Sequence, residues 1–297
     1  MLLKEFVGSA REQLQVLYPE KEAAAMVGIL CRECLCVESY TYIIEPDLEI
    51  SGERMEKAAA ALGRLLAGEP IQYVLGFSDF FGRRFNVNPS VLIPRPETET
   101  LCREAIDSAM RLYRTRSAYG HNADPVRILD LCTGSGCIAW TLALNVPGAD
   151  IVAVDISSDA LEVASKQPFD KTVKPHFVQA DIFDDDAMAS VLSGGFDIIV
   201  SNPPYILDCE KAQMRSNVLD YEPSLALFVP DDDSMRFNRK IAEISAKAFK
   251  TDSIGIVEIN ESLGDACCRI FKDAGFEESV IIKDIFGKNR FLKYSRQ

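Results

Sequence analysis

The fold is decided by residues 126–139, which read VRILDLCTGSGCIA. Their apolar beginning predicts a buried β-strand at residues 126–131, and the glycines that follow, Gly134 and Gly136, allow a tight turn into a helix. Glycines at such a turn let a ligand approach the backbone, and the first turn of a helix has free N–H groups that can bind it. The stretch therefore predicts a strand, a turn and a helix, with a ligand site at the turn.

Similar apolar runs recur along the rest of the chain. Including the first, the predicted strands are residues 126–131, 151–155, 176–178, 196–201, 254–259, 280–283 and 290–294. Helical patterns separate most of them, for example at residues 136–144, 158–166, 234–249 and 263–274. Buried strands that alternate with helices form a mostly parallel sheet covered on both faces, and the short link between the last two strands permits an antiparallel pair. The expected fold class is α/β, with a seven-stranded Rossmann-like sheet.

The N-terminal part of the chain has a different pattern. Residues 1–74 place apolar side chains at helical spacing without β-branched runs, which predicts a small helical bundle. Residues 75–96 contain aromatic and apolar residues around Gly82, typical of a β-hairpin, and prolines that end regular structure. A length of 297 residues also favours two domains. We therefore expect a helical domain at 1–74, a linking hairpin at 75–96 and the α/β domain at 97–297.

Composition argues against several classes of protein. The net charge of −13, from 32 basic and 45 acidic residues, opposes a general nucleic-acid binder, because such binding depends on cations that displace counterions from phosphate. No apolar run is long enough to span a bilayer, so no membrane association is expected. Nine cysteines, an odd number, indicate reduced thiols and a cytoplasmic protein. Cys31, Cys34 and Cys36 lack a nearby fourth ligand, so no metal site is expected.

Carboxylates near the glycine turn indicate the kind of cofactor. Asp155 ends the second predicted strand, where a carboxylate can accept hydrogen bonds from both hydroxyls of a ribose. This pattern alone indicates a cofactor that contains adenosine, and NAD and S-adenosylmethionine fit it about equally well. Asp130, just before the turn, could face an ammonium group but would repel a pyrophosphate. That residue favours S-adenosylmethionine.

A second motif, SNPPY, occupies residues 201–205 at the end of the fourth predicted strand. Ligands of open α/β sheets bind at the carboxyl ends of the strands. Pro203 and Pro204 have no N–H group, so the strand cannot continue its pairing there. The chain therefore leaves the sheet with the Asn202 side chain and the Pro203 carbonyl free and with Tyr205 beside them. This arrangement predicts a substrate site next to the cofactor.

The two free oxygens of this motif suit a substrate that carries an NH₂ group. Such a nitrogen is a weak nucleophile, and methyl transfer from a sulfonium moves positive charge onto it. The Asn202 side-chain oxygen and the Pro203 carbonyl can accept its hydrogens, stabilise that charge and align the lone pair with the methyl group, while Tyr205 offers a flat face or edge. Asn202, Pro203 and Tyr205 are therefore the predicted catalytic residues. No histidine base is needed, since the methylated product sheds its proton readily.

Together these motifs resemble those of the class I S-adenosylmethionine-dependent methyltransferases that modify the amide nitrogen of glutamine in peptide chain release factors. Further stretches resemble the same family: EPIQY at residues 69–73, VLIPRPETE at 91–99, EP at 222–223 and DxxGxxR at 284–290. The resemblance implies methylation of N5 of the glutamine in the GGQ loop of class I release factors, which modulates translation termination. S-adenosyl-L-homocysteine would be the second product.

The resemblance also implies roles for individual residues. The expected cofactor-binding residues are Asp130, Cys132, Thr133, Gly134, Ser135, Gly136, Asp155, Asp181, Ile182 and Asn202. Within this set Asp155 would bind the ribose hydroxyls, and Asp181 with Ile182 would bind the adenine. The expected substrate-binding residues are Asn202, Pro203, Pro204, Tyr205, Arg95 and Glu97. Family members usually have glycine at the position of Cys132, and we expect the small thiol to fit beside the cofactor.

Three other interpretations remain open. A base-amine methyltransferase acting on RNA or DNA, for example at adenine N6, shares the Asn-Pro-Pro-Tyr motif, but the net charge of −13 and the lack of a Lys/Arg stripe oppose it. A nicotinamide-dependent oxidoreductase leaves that motif without a role. A non-catalytic module would bind the cofactor without turnover.

Overall fold

The computed structural model describes residues 1–38, 40–118, 124–284 and 286–296. Its helices are α1 (Leu3–Leu14), α2 (Glu20–Leu30), α3 (Thr41–Ile44), α4 (Gly52–Leu66), α5 (Ile71–Leu75), α6 (Thr98–Ala118), α7 (Cys137–Asn145), α8 (Ser158–Ser165), α9 (Asp185–Val191), α10 (Ser216–Tyr221), α11 (Ser224–Leu227), α12 (Arg236–Ala248) and α13 (Gly264–Asp273). Its strands are β1 (Phe77–Phe80), β2 (Arg83–Asn86), β3 (Arg127–Leu131), β4 (Asp150–Asp155), β5 (His176–Gln179), β6 (Phe196–Ser201), β7 (Ile206–Leu207), β8 (Phe228–Val229), β9 (Phe249–Glu258), β10 (Glu278–Lys283) and β11 (Asn289–Ser295). In these ranges no helix combines the length and apolar character that crossing a membrane requires.

The chain divides into two compact units. The first comprises Met1–Phe77 and Arg215–Tyr221, and the second comprises Ser78–Met214 and Glu222–Gln297. The first unit is helical because its apolar residues recur at helical spacing. In α4 the buried side chains follow positions i, i+3, i+4 and i+7: Ala58, Ala61, Leu62 and Leu65.

One segment of the first unit comes from far along the chain. Helix α10 belongs to this unit, and its Tyr221 hydroxyl donates to the Ala67 carbonyl at 2.8 Å. Just before α10, Arg215 forms an ion pair with Glu22 at 2.9 Å. Local periodicity did not indicate this segment, because the choice of unit depends on tertiary contacts.

The second unit contains the predicted seven-stranded sheet, in the order β10-β11-β9-β6-β3-β4-β5. Five strands, β9, β6, β3, β4 and β5, pair in parallel, and β11 runs antiparallel between β9 and β10. Helices cover both faces, so successive residues of a strand enter different cores: Ile128 packs with α6 and α7, and Leu129 packs with α12 and α13. All six residues of β6 are buried. The α/β fold class and the antiparallel last pair are confirmed.

The predicted β-hairpin is present as β1 and β2. Its two turn residues, Phe81 and Gly82, both have positive φ, 51° and 70°, as two-residue hairpin turns of type I′ require. For Phe81 this conformation is unusual, and the backbone N–H of that residue is held by Glu99 Oε1 at 2.9 Å. The hairpin turn is therefore tied to the first turn of α6.

The order of strands reverses at the middle of the sheet. The chain builds β3, β4 and β5 outward in one direction and then returns to place β6 on the other side of β3. Leu131 and Ser201 lie opposite each other at the carboxyl ends of β3 and β6, and Ser201 Oγ donates to the Leu131 carbonyl at 2.8 Å. Such a reversal point is where open α/β sheets bind their ligands.

A close approach between β9 and β11 yields a stability prediction. Gly255 lies opposite the fully buried Tyr294, and a Cβ added at Gly255 would overlap the Tyr294 ring. We expect Gly255→Ala to lower the free energy of unfolding by about 1–3 kcal/mol, as overpacked cores do, measured by urea denaturation. Gly63→Ala is the control, because Gly63 is exposed in α4 with open space around its Cα, and alanine there should stabilise the helix by about 0.5–1 kcal/mol. Unchanged stability of Gly255→Ala would contradict the described packing.

Candidate active site

A cleft of about 270 Å³ opens at the carboxyl ends of the central strands, within the second unit. It is lined by the loops that follow β3, β4, β5 and β6 and by two segments that precede α6 and β8. The lining residues that the sequence had indicated are Arg95, Cys132, Thr133, Gly134, Ser135, Asp155, Asp181, Ile182, Asn202 and Pro204. The other expected site residues, which do not line the cleft, are Glu97, Asp130, Gly136, Pro203 and Tyr205. The strand ends thus bring together both motifs.

The glycine turn after β3 forms one wall of the cleft. Cys132, Gly134 and Gly136 all have positive φ, 61°, 54° and 76°, which explains why glycine suits the position of Cys132. A Cβ at Gly136 would lie 3.0 Å from the Cβ of Ala164, whereas the space beside Gly134 is open. Gly136 is therefore required for helix packing, and Gly134 leaves room for a ligand against the backbone.

Asp155 connects this turn to the end of β4. Its Oδ2 accepts from the N–H of Gly134 at 2.8 Å and its Oδ1 from the N–H of Ser157 at 3.0 Å. Burial raises the pKa of Asp155, and the backbone hydrogen bonds oppose that effect. Each carboxylate oxygen still has a lone pair, since one oxygen can accept two hydrogen bonds. Asp155 is thus an oriented acceptor that lines the cleft.

Asp130 has a different environment from the one that its position suggested. It is fully buried under the turn, where its Oδ2 accepts from the Thr133 hydroxyl at 2.6 Å. Its Oδ1 has no hydrogen-bond partner of normal geometry in the described ranges. Burial raises the pKa of Asp130 to about 7, and the negative charge of Asp155 adds to this effect. Its direct contact in this structure is therefore with the turn, through Thr133.

Asn202 lines the cleft, and its side-chain amide is bonded to Thr98, which is in turn bonded to a buried carboxylate. Asn202 Nδ2 donates to Thr98 Oγ1 at 3.3 Å, and the Thr98 hydroxyl donates to Glu258 Oε2 at 2.8 Å. The other carboxylate oxygen of Glu258 accepts from the Tyr205 hydroxyl at 3.0 Å. Asn202 Oδ1 accepts no hydrogen bond from any residue in the described ranges. The amide thus keeps its acceptor end free.

The buried acid and the phenol of this network have displaced pKa values. Burial raises the pKa of Glu258, while hydrogen bonds from Thr98 and Tyr205 and the charge of Arg290 lower it in part. Burial and the charge of Glu258 raise the pKa of Tyr205. The Tyr205 hydroxyl therefore keeps its proton at neutral pH and serves as a donor to Glu258.

A partly buried ion pair fixes another part of the cleft wall. Glu222 is almost fully buried and accepts from the Arg95 guanidinium at 2.6 Å and from the Ile93 N–H at 3.1 Å. Pro94, Arg95 and Pro223 all line the cleft. The pair thereby joins the segment before α6 to the loop before α11 as one wall.

Sequence reasoning assigned no role to several residues of the site. Glu258 lies in the predicted strand at residues 254–259, and a carboxylate near the carboxyl end of an otherwise apolar strand is a signal of a site residue. Arg236, Phe183 and Phe237 also line the cleft, with the Arg236 guanidinium 4.5 Å from the centre of the Phe183 ring. Phe183 meets Arg236 and Phe237 only in the folded chain, so no local pattern indicated this cluster.

The environment of Asp130 predicts a pH dependence of stability. Its folded-state pKa of about 7 lies above its unfolded value, so the folded protein binds the proton more tightly and loses stability as the pH rises towards 7. Asp130→Asn removes this titration, and we expect the stability of the variant relative to the natural protein to rise from pH 5 to pH 8 by roughly 2–3 kcal/mol. Urea denaturation at both pH values measures the difference. A constant difference across that range would contradict the buried, titrating state of Asp130.

Two family models match the chain. The Methyltransferase small domain matches residues 100–219, and the PrmC N-terminal domain matches residues 5–76. Among solved structures, the hMettl16 catalytic domain in complex with MAT2A 3′UTR hairpin 6 has a TM-score of 0.53 at 14% identity, covering 84% of this chain and 85% of that one. At that identity the likeness concerns the fold alone.

Relatives over nearly the full length are more informative. The release factor glutamine methyltransferase of Bacteroides thetaiotaomicron is 39% identical over 286 residues, which cover 96% of this chain and 97% of that protein. The release factor glutamine methyltransferase of Flavobacterium psychrophilum is 36% identical over 293 residues, which cover 99% of each chain. With this coverage in both directions, the chain belongs to the family of release factor glutamine methyltransferases and is an S-adenosylmethionine-dependent methyltransferase.

Proposed function

We propose that this protein transfers a methyl group from S-adenosylmethionine to N5 of the glutamine in the GGQ loop of class I peptide chain release factors. The observation that carries the proposal is the state of Asn202, whose Nδ2 is held by Thr98 while its Oδ1 is free at the cleft. A carboxamide nitrogen becomes reactive only if its hydrogens are accepted and its lone pair is aligned. The free Asn202 oxygen meets the first of these requirements.

The residues of the cleft fit S-adenosylmethionine. Open space beside Gly134 admits a ligand against the backbone, and Asp155 has lone pairs left for two ribose hydroxyls. Asp181 and Ile182 line the cleft beyond Asp155 and offer a polar and an apolar contact for the adenine. A direct contact between Asp130 and the cofactor stays a prediction, because Asp130 is fully buried beneath the turn and does not line the cleft. The remaining residues of the turn that we assign to the cofactor are Cys132, Thr133, Ser135 and Gly136.

The cofactor supplies a methyl group on a positively charged sulfur, which keeps the bonding electrons when the amide nitrogen takes the methyl. The protein's own contribution is positioning. Asn202 Oδ1 accepts one hydrogen of the substrate amide. The Pro203 carbonyl stays the predicted acceptor of the other, although Pro203 is buried and does not line the cleft in this structure. As positive charge develops on the nitrogen, both acceptors bind more strongly, which lowers the barrier. The methylated amide then loses a proton to solvent.

The wall of the cleft completes the substrate site. Arg95 is held by Glu222 and lines the cleft with Pro204. These residues border the glutamine side chain, and Glu97 lies on the same segment as Arg95. Tyr205 contributes by holding the loop, because its hydroxyl is bonded to Glu258 and its ring does not line the cleft. A face or edge contact between Tyr205 and the substrate stays a prediction.

The N-terminal helices supply recognition of the partner protein. We assign residues 1–74 to binding the release factor outside its glutamine loop, with 75–96 as a linker and 97–297 as the catalytic part. The match of residues 5–76 to the PrmC N-terminal domain supports this assignment. All nine cysteines are free, which is consistent with a reducing compartment and a cytoplasmic site of action.

A labelling assay tests the proposed substrate. The protein is incubated with methyl-labelled S-adenosylmethionine and one of four acceptors: a class I release factor, the same factor with its GGQ glutamine replaced by alanine, RNA or DNA. We expect label only in the unaltered release factor, because the net charge of −13 disfavours binding to a phosphate backbone. Label in nucleic acid alone, or in the alanine-substituted factor, would refute the proposal.

Two substitutions separate the cofactor site from the substrate site. Asn202→Ala should lower kcat by about 10²–10³-fold, as loss of one transition-state hydrogen-bonding group does, and should leave the Kd for S-adenosylhomocysteine unchanged. Asp155→Ala should raise the Kd for S-adenosylhomocysteine, because it removes the acceptor for the ribose hydroxyls. Calorimetry and initial rates measure the two effects. If Asn202→Ala had the kcat of the natural protein, the role assigned to Asn202 would be wrong. If Asp155→Ala kept the cofactor affinity of the natural protein, the role assigned to Asp155 would be wrong.

A further inference from the structure

A fully buried carboxylate, that of Glu258, lies behind Asn202 at the end of β9. Its Oε2 accepts from the Thr98 hydroxyl at 2.8 Å and its Oε1 from the Tyr205 hydroxyl at 3.0 Å. Glu258 is not among the residues that line the cleft. It therefore reaches the site only through the two hydroxyl groups.

The hydrogen bond from the Thr98 hydroxyl to Glu258 determines the direction of the hydrogen bond between Thr98 and Asn202. A threonine hydroxyl has one proton and two lone pairs, whereas an ionised carboxylate can only accept. Thr98 must therefore give its proton to Glu258 and present a lone pair to Asn202. Only the NH₂ end of the Asn202 amide can meet that lone pair, which is the 3.3 Å contact between Nδ2 and Oγ1.

We infer that Glu258, acting through Thr98, sets the orientation of the Asn202 amide and so keeps its oxygen available to the NH₂ group of the substrate. The identity of that NH₂ group rests on the proposed function, but the orientation of the amide does not. The two ends of an amide have nearly the same size, so packing alone does not prevent a half-turn. After a half-turn the Asn202 NH₂ group would meet the substrate NH₂ group, and the acceptor would be lost.

The other carboxylate oxygen of Glu258 holds the same loop at Tyr205. The Tyr205 hydroxyl is bonded to Oε1, and the Tyr205 carbonyl accepts from Asn260 Nδ2 at 3.2 Å. The loop from Asn202 to Tyr205 is thus anchored on both sides by one carboxylate. Glu258 is a positioning residue, because its effect on the substrate passes through Asn202. We assign the same role to Thr98, which itself lines the cleft.

Steady-state kinetics with a release factor test this role. Thr98→Val keeps the shape of the side chain and removes the hydroxyl, and Glu258→Gln replaces one acceptor oxygen by a donor. We expect both to lower kcat by about 10–100-fold, the scale of a misplaced reacting group, with the Kd for S-adenosylhomocysteine unchanged. Thr98→Ser should restore most of the rate. An unchanged kcat in Thr98→Val would overturn the inference.

A matched control and a double variant separate orientation from general damage. Thr141 is a fully buried threonine whose hydroxyl has no partner in the described ranges, so Thr141→Val should leave kcat unchanged. Combining Thr98→Val with Asn202→Ala should cost no more than Asn202→Ala alone, because the role inferred for Thr98 is to orient Asn202. Additive losses in the double variant would overturn the inference.

A neutron structure of the natural protein shows the orientation of the Asn202 side-chain amide directly and does not depend on an activity measurement. Deuterons on the Asn202 nitrogen that point to Thr98 Oγ1, with the Thr98 deuteron pointing to Glu258, would support the inference. The reverse orientation would overturn it even if release factor is methylated. Conversely, the expected deuterons together with no methylation of release factor would refute the proposed function and leave the orienting role of Glu258 supported.

Discussion

Parallel pairing of β3 with β6 is the contact on which the site depends. Leu131 lies opposite Ser201 in this pair, so the glycine turn and the Asn-Pro-Pro-Tyr loop leave the sheet side by side. Neighbouring strands are about 4.8 Å apart, so a chain that placed β6 beyond β5 would separate the two motifs by about 14 Å. Adjacent strand ends are what bring a cofactor turn within reach of a substrate loop.

Buried carboxylates at the amino ends of the central strands have different partners from those at the carboxyl ends. Asp197, at the amino end of β6, pairs with Arg116 and Lys250 and accepts from the Arg127 N–H at 2.8 Å. Asp130 and Glu258, at the carboxyl ends of β3 and β9, accept instead from hydroxyl groups. A buried carboxylate next to cations has its charge compensated locally. Burial raises the pKa of Asp130 and of Glu258, and each of these carboxylates orients the hydroxyl groups that donate to it.

The features that could be predicted from the sequence are those that depend on residues adjacent in the chain. The strand at residues 126–131 and the turn after it follow from an apolar run and glycines, and Pro203 with Pro204 must end the pairing of β6 wherever that strand lies. The position of Asp130 in the sequence suggested contact with a ligand, yet the folded chain buries it beneath Thr133. Burial depends on what packs against a residue, and no local pattern contains that information.

By itself the sequence determined the strands, the acceptor groups at their ends and the family to which those motifs belong, because each is a property of a few consecutive residues. Only the tertiary structure decided which end of the Asn202 amide is free. That choice requires Thr98 from the start of α6, Asn202 from the end of β6 and Glu258 from the end of β9 to meet in one hydrogen-bonded line. The direction of the hydrogen bond between Asn202 and Thr98 is set by the group to which Thr98 donates. That group is Glu258, which is 160 residues away from Thr98 in the chain.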